Sequence, residues 1–270
     1  MSSVESFSAA SVWQFYQSNL LPSLLFAFIM GAALGSFANV VIYRLPRGKS
    51  LLKPASHCPH CGVPIPPKYN IPLFSFLWLK GQTACCDKPI SSRYLIIEYL
   101  SAVAVAALLL LEGWSLNFLF ESLWMILLLI IAAIDVEHQR IPNILVLSGL
   151  ILSIIWVIAT PGVSWSAHAW GAVVGFGLGA IVMISGRLFA GGWSGFGDLK
   201  LLIVLGFAFG SGKITLAFIV AFAAAAIFGL IRFRVFSGRK IPLGPFLLLG
   251  IWTSICCADA VLAWYWTLLR

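Results

Sequence analysis

Apolar runs recur along this chain from end to end, and several approach the ~20 residues a helix needs to cross the hydrocarbon core of a bilayer. Eight can be marked out, at 20–41, 94–111, 117–134, 144–159, 169–188, 199–210, 214–231 and 241–268. Backbone amides in lipid must find their partners within their own segment, so such runs fold as helices. The sixth is short, which predicts a tilted helix or a re-entrant loop sheltered by protein. With 61% hydrophobic and 10% charged residues, the composition lies far from that of a soluble domain. The expected fold is an all-α integral membrane protein of about eight transmembrane helices, with one large Cys/Pro-rich loop after the first.

Basic residues set an orientation. If the first run enters from outside, the inward segments are 42–93, 135–143, 187–200 and 232–240, and these hold 15 of the 17 Lys and Arg. That excess predicts cytoplasmic loops and both termini outside. The net charge of +8 is then a topology signal that also favours contact with membrane lipid. No basic stripe remains for nucleic acid. Residues 1–19 contain no Lys or Arg, so the basic start of a secretory signal is absent and the first span is expected to stay in the protein. The expected organisation is an external segment 1–19, a first span 20–41, a cytoplasmic loop domain 42–93 and a seven-span membrane domain 94–270.

Two acids stand out against this apolar background. Asp198 closes the run Gly195-Phe196-Gly197-Asp198 at the mouth of the sixth apolar segment, and Asp135 ends the third, just before Ile141-Pro142. A carboxylate at a membrane boundary is costly unless it is paired, hydrated or used. Either acid alone reads most simply as a helix cap or an interfacial residue. Together they fall on one membrane face by the independent charge count, and Gly191, Gly192, Gly195 and Gly197 make the backbone before Asp198 unusually permissive. An acid/base pair of the aspartyl-protease kind is the chemistry this arrangement suggests. Lys200 lies close enough to influence one of the carboxyls if it points inward.

The segment 45–93 holds eight of the 13 prolines and four of the six cysteines. Placed in a reducing compartment, it is not expected to contain structural disulfides. Cys58-Pro59-His60-Cys61-Gly62 is a C-x-x-C knuckle of the kind that binds zinc. Its partner is irregular: Thr83-Ala84-Cys85-Cys86 offers two adjacent thiols, whose side chains diverge. The expected ligands are therefore Cys58, Cys61 and Cys86, with Cys85 competing against His57 or His60 for the fourth place. A loop of free thiols is the plain alternative. Asn39 and Arg44 near the end of the first span, and Arg93 and Glu98 at the start of the second, read on their own as an interfacial ion pair with a snorkelling arginine.

In order along the chain stand Gly35-Ser36-Phe37-Ala38-Asn39, Tyr43-Arg44-Leu45-Pro46, the knuckle at 58–61, Asn70-Ile71-Pro72-Leu73-Phe74-Ser75, Ile90-Ser91-Ser92-Arg93-Tyr94 with Glu98, Ile134-Asp135, Ile141-Pro142, Gly195–Leu202 and Ile241-Pro242-Leu243-Gly244-Pro245-Phe246. This ordered set resembles the bacterial type IV prepilin peptidases, aspartyl proteases of the Gly-x-Gly-Asp type, over about 31–250. The resemblance implies an inner-membrane endopeptidase with Asp135 and Asp198 as its catalytic pair, needing no cofactor for cleavage. Its substrates would be the leader and following hydrophobic helix of prepilins or secretion pseudopilins, cut at the cytoplasmic face. It also implies an N-methyltransferase using S-adenosylmethionine, associated with the cysteine-bearing segment. On that reading Glu98 is placed to hold the new amine, and Asn39, Arg44 and Arg93 lie beside it. The family usually carries two C-x-x-C pairs, and here the missing cysteine falls on Thr83. Two rivals remain at this point: a secondary transporter, which predicts acids near mid-bilayer and a repeat between halves, and a membrane scaffold with a zinc-knuckle docking loop.

Overall fold

The structure, a computed structural model, describes residues 19–58, 60–190, 195–233 and 242–268. The segment 1–18, Pro59, Gly191, Gly192 and Ile241 lie outside the described residues. In chain order the helices are α1 (Leu20–Arg44), α2 (Phe74–Trp78), α3 (Ser92–Glu112), α4 (Leu116–His138), α5 (Asn143–Ala159), α6 (Trp165–Ala190), α7 (Phe196–Phe233) and α8 (Gly244–Leu268). Single 3-10 turns stand at Leu45–Arg47 and Pro67–Tyr69, and no strand occurs among the described residues.

Among the described residues five helices, α1, α3, α4, α6 and α7, are long and apolar enough to cross a membrane, and the apolar stretches Asn143–Ala159 and Gly244–Ala258 are shorter. The protein is all-α and built for a bilayer, as its apolar runs require. The expected sixth and seventh runs lie within the single helix α7, which is interrupted at Gly210 (φ 77°, ψ 170°). Glycine is the residue that enters this left-handed region without steric penalty.

Local chemistry sets the ends that matter for the site. Ser91 Oγ accepts the Arg93 N–H at 3.3 Å and starts α3, satisfying one of the amides left free at a helix start. α4 runs past the expected boundary at 134 to His138. It stops where Gln139 turns left-handed (φ 52°) and returns its N–H to Asp135 O at 2.8 Å, an αL cap on a non-glycine residue.

By internal contacts the chain divides into two units, Met1–Ile126 and Leu127–Arg270. Within the first, α1 packs on α3 through Gly31 and Gly35: a Cβ at Gly31 would lie 2.6 Å from Ser101 O, and one at Gly35 would lie 2.8 Å from Glu98 Cα. Within the second, Gly171, Gly175 and Gly179 of α6 recur every four residues. They meet the backbone of Gly206, Leu202 and Leu199 of α7, while Gly250 of α8 meets Ala217 of α7. Lipid tails are as apolar as leucine, so helices in a bilayer gain by close backbone approach, and small residues permit it.

Candidate active site and cysteine cluster

Asp135 lies in the last turn of α4 and is buried, 7% exposed. Its Oδ2 accepts the backbone N–H of Gly244 at 2.8 Å. Gly244 is the first residue of α8, where amides have no intrahelical acceptor and form the positive end of the helix dipole. Carboxylate and helix start thus satisfy each other. Position 244 is tight for any side chain, because a Cβ there would be 3.0 Å from Ala132 Cα and 3.1 Å from Asp135 Oδ2, so one of them would have to shift.

Asp198 stands in the first turn of α7, half-buried, and the charge of Asp135 acts on it. The two acids singled out by the sequence therefore share one electrostatic neighbourhood, each at a helix end. Gly195 makes the turn before Asp198 with φ 111°, and its carbonyl accepts the Leu199 N–H at 2.8 Å. A Cβ on Gly197 would come within 3.2 Å of Ile141 Cβ, so the Ile141-Pro142 connection lies against the glycine turn. Lys200 turns away from a simple partnership with the acids: its Nζ donates to Asn143 Oδ1 at 3.2 Å and sits 4.4 Å from the centre of the Phe196 ring. Gly244 was not singled out from sequence as part of the site. Its signal was the Gly244-Pro245 pair at the mouth of the last apolar run.

The cysteine segment consists of two knuckles of matching geometry. An isolated bridge His57–Pro64 closes the first and Gln82–Pro89 closes the second. In the first, Cys58 N–H reaches Val63 O and Gly62 N–H reaches Cys58 O, both at 2.9 Å. In the second, Thr83 N–H reaches Lys88 O at 2.8 Å and Asp87 N–H reaches Thr83 O at 3.0 Å. Gly62 and Asp87 are both left-handed, at φ 74° and 53°. Thr83 therefore occupies the place of Cys58, and Cys86 that of Cys61.

The sulfur that Thr83 lacks comes from Cys85. The ligand atoms of Cys58, Cys61, Cys85 and Cys86 all lie within 4.8 Å of one another. Sγ–Sγ separations are 3.2 Å for Cys61–Cys85, 3.7 Å for Cys58–Cys86 and 3.9 Å for Cys85–Cys86. Zn–S bonds of about 2.3 Å in a tetrahedron imply sulfur–sulfur edges of about 3.8 Å, so the set fits such an ion. Neither histidine belongs to the group; His57 Nδ1 lies 3.0 Å from Ala55 O. Backbone N–H groups of Cys61 and then His60 bring the Cys58 thiol down to about 6. The hydrogen bond to the Cys61 thiol, then burial, push Cys85 up to about 12. Thiols this crowded resist sharing more than one negative charge unless a cation joins them.

The polar cluster at the α1 and α3 ends is tied to backbone. Asn39 Nδ2 donates to Tyr94 O at 3.2 Å. Arg44 donates to the carbonyls of Ser50 (3.1 Å), Leu51 (3.3 Å) and Pro54 (2.7 Å). Glu98, 7% exposed, accepts the Leu73 N–H at 2.8 Å and a hydrogen bond from Ser36. The Arg93 guanidinium lies 5.5 Å from the Tyr94 ring centre.

Comparison with known proteins adds two matches along the chain. Residues 29–111 match the bacterial peptidase A24 N-terminal domain, and residues 122–230 match the type IV leader peptidase family. A prepilin leader peptidase/N-methyltransferase of Stutzerimonas stutzeri is 32% identical over 93% of this chain and 96% of its own. The protein of that name from Klebsiella pneumoniae is 39% identical over 67% of this chain and 82% of its own. The one from Bacillus subtilis (strain 168) is 30% identical over 88% and 96%. No solved structure matches the chain.

Proposed function

The chain belongs to the type IV leader peptidase family, and we propose that it is a membrane aspartyl endopeptidase that removes the leader of type IV prepilins or pseudopilins and N-methylates the amine so exposed. The observation that carries the peptidase half is that Asp135 and Asp198, at the ends of two helices, lie near enough for the charge of one to act on the other, with a helix start aimed at Asp135. Two nearby carboxyls do not readily ionise together, so one holds a proton and the other is charged. The charged one takes a proton from water as the oxygen attacks the scissile carbonyl. The protonated one donates to the developing oxyanion. Gly195 makes the left-handed turn into α7, and Gly197 lets Ile141 pack closely beside Asp198. Cleavage of a prepilin peptide by purified protein, lost in Asp135→Asn and Asp198→Asn, is the deciding experiment.

Cleavage takes place at the cytoplasmic face of the bacterial inner membrane in this reading, with both termini outside. The orientation rests on the distribution of Lys and Arg. Eight crossings follow if the two halves of α7 on either side of Gly210 each count as one. The loop domain 42–93 and the membrane domain 94–270 are the working divisions of function.

S-adenosylmethionine is the methyl donor of such an activity, and it supplies an electrophilic methyl group. Asn39 bonds the α3 backbone at Tyr94, while Arg44 and Glu98 bond the backbone of the loop between the helices. Their part, with Arg93 beside them, is to hold the loop in shape next to the donor. A zinc ion held by Cys58, Cys61, Cys85 and Cys86 would fasten the two knuckles into one unit. The transporter and scaffold readings have no observation in their favour.

A further inference from the structure

Helix α2 presents its apolar side chains openly. Phe74 is 53% exposed, Leu77 66% and Trp78 61%, and Ile71 just before the helix is 47% exposed. Phe74 and Trp78 meet edge to face at 5.2 Å, making one continuous aromatic surface. An exposed apolar patch of this kind marks a partner or a membrane.

The depth of the patch can be read from one hydrogen bond. Leu73, immediately before α2, holds a left-handed backbone (φ 62°) and gives its N–H to Glu98 Oε2 at 2.8 Å. Glu98 comes six positions after Ser92, the first residue of α3, or about 9 Å along a helix that is apolar enough to span a membrane. The start of α2 is thus pinned beside a point inside a span. The seat is firm: Ser75, 7% exposed, accepts the Ile71 N–H at 3.0 Å and donates to Lys68 O at 3.3 Å. Beside Glu98 on α3, Ile96 and Tyr99 are 51% and 54% exposed, the side of a span that faces lipid. Exposed Lys68 and Lys80 bracket the patch in sequence.

We propose that α2 is an interfacial foot, in which Ile71, Phe74, Leu77 and Trp78 enter the boundary between headgroups and acyl chains of the leaflet where α1 ends and α3 begins. Lys68 and Lys80 extend to anionic phospholipid headgroups. Aromatic rings flanked by lysines are the composition that favours this layer. The foot fixes the cysteine knuckles at the membrane surface, and nothing in its placement depends on the aspartate pair.

The test places the photoreactive residue benzoylphenylalanine at Leu77 or Trp78, and at exposed Gln82 as control, in the full chain. The protein is reconstituted in vesicles of phosphatidylethanolamine and phosphatidylglycerol, with and without a prepilin. The expected result is lipid adducts at 77 and 78 several-fold above those at 82, unchanged by prepilin, with phosphatidylglycerol over-represented relative to its share of the vesicle. Adducts to prepilin or to a second copy of the chain, lipid adducts no more frequent than at Gln82, or no enrichment of phosphatidylglycerol would each overturn the assignment. Phe74 is itself aromatic, so the same probe at 74 gives the reading if a substitution at 77 or 78 does not fold.

Discussion

Gly244 N–H donates to Asp135 Oδ2 at 2.8 Å, and a side chain at 244 would press on that same oxygen from 3.1 Å. One glycine therefore supplies both the hydrogen bond and the space for a buried carboxylate. Gly244→Ala is expected to push Asp135 from its place at a cost of about 1–3 kcal/mol, the range for an added methyl in a packed site. Cleavage should fall at least tenfold (~1.4 kcal/mol) while the protein remains folded. The control is Gly177→Ala, where a Cβ meets nothing within 4 Å and activity should be unchanged. Parallel assays of prepilin cleavage and thermal unfolding in detergent give the comparison.

The acids themselves should respond more severely. A carboxamide cannot take a proton from water, so Asp135→Asn and Asp198→Asn are each expected to lower the cleavage rate by at least about a hundredfold. Substantial turnover by either folded variant would refute the pair.

The cysteine cluster predicts a particular pattern of metal loss and recovery. Purified protein should carry about one zinc per chain if the four thiols form one site. Cys85→Ser should lose the metal. Thr83→Cys on that background should restore it, because Thr83 N–H and O make the same knuckle hydrogen bonds as Cys58 N–H and O. Elemental analysis of the three proteins decides the matter, and zinc retained in Cys85→Ser would remove Cys85 from the ligand set.

Glu98 is expected to act through the loop. Gln at 98 keeps an acceptor for the Leu73 N–H, so Glu98→Gln should retain both cleavage and methyl transfer within a few-fold. Glu98→Leu has no acceptor and leaves that amide unsatisfied, at a cost of ~1–3 kcal/mol. It should lose methyl transfer while cleavage persists. Loss of methyl transfer in folded Glu98→Gln would instead give the carboxylate a direct part in the reaction.

Much of this architecture was legible in sequence because the bilayer enforces it. Apolar length fixed where helices run, and the two boundary acids drew notice because lipid makes a stray carboxylate expensive. One helix break was legible too: Ser211-Gly212-Lys213 interrupts the apolar residues after Gly210, where the backbone takes a φ of 77°; that the helix resumes at once in a single element appears only with the backbone. The contacts of Gly171, Gly175 and Gly179 were also hidden, since their four-residue spacing says nothing about which helix they meet. Thr83 shows a different limit. The family resemblance placed a missing cysteine there, but only the turn geometry shows how Cys85 brings its sulfur to 3.2 Å from that of Cys61. Gly244 was overlooked because the Gly244-Pro245 pair marks a helix start without saying which side chain its N–H will meet.

The contact between Gly179 and Leu199 has a consequence for where a substrate is cut. Leu199 directly follows Asp198, so the acid is held in height by the close packing of Leu199 on the α6 backbone at Gly179. An acid that cannot slide turns the enzyme into a ruler. The scissile bond is then chosen by how far it stands from the point where the substrate's own greasy helix emerges from the bilayer, and a prepilin with extra residues spliced between those two landmarks should be severed at the old distance, within the insert.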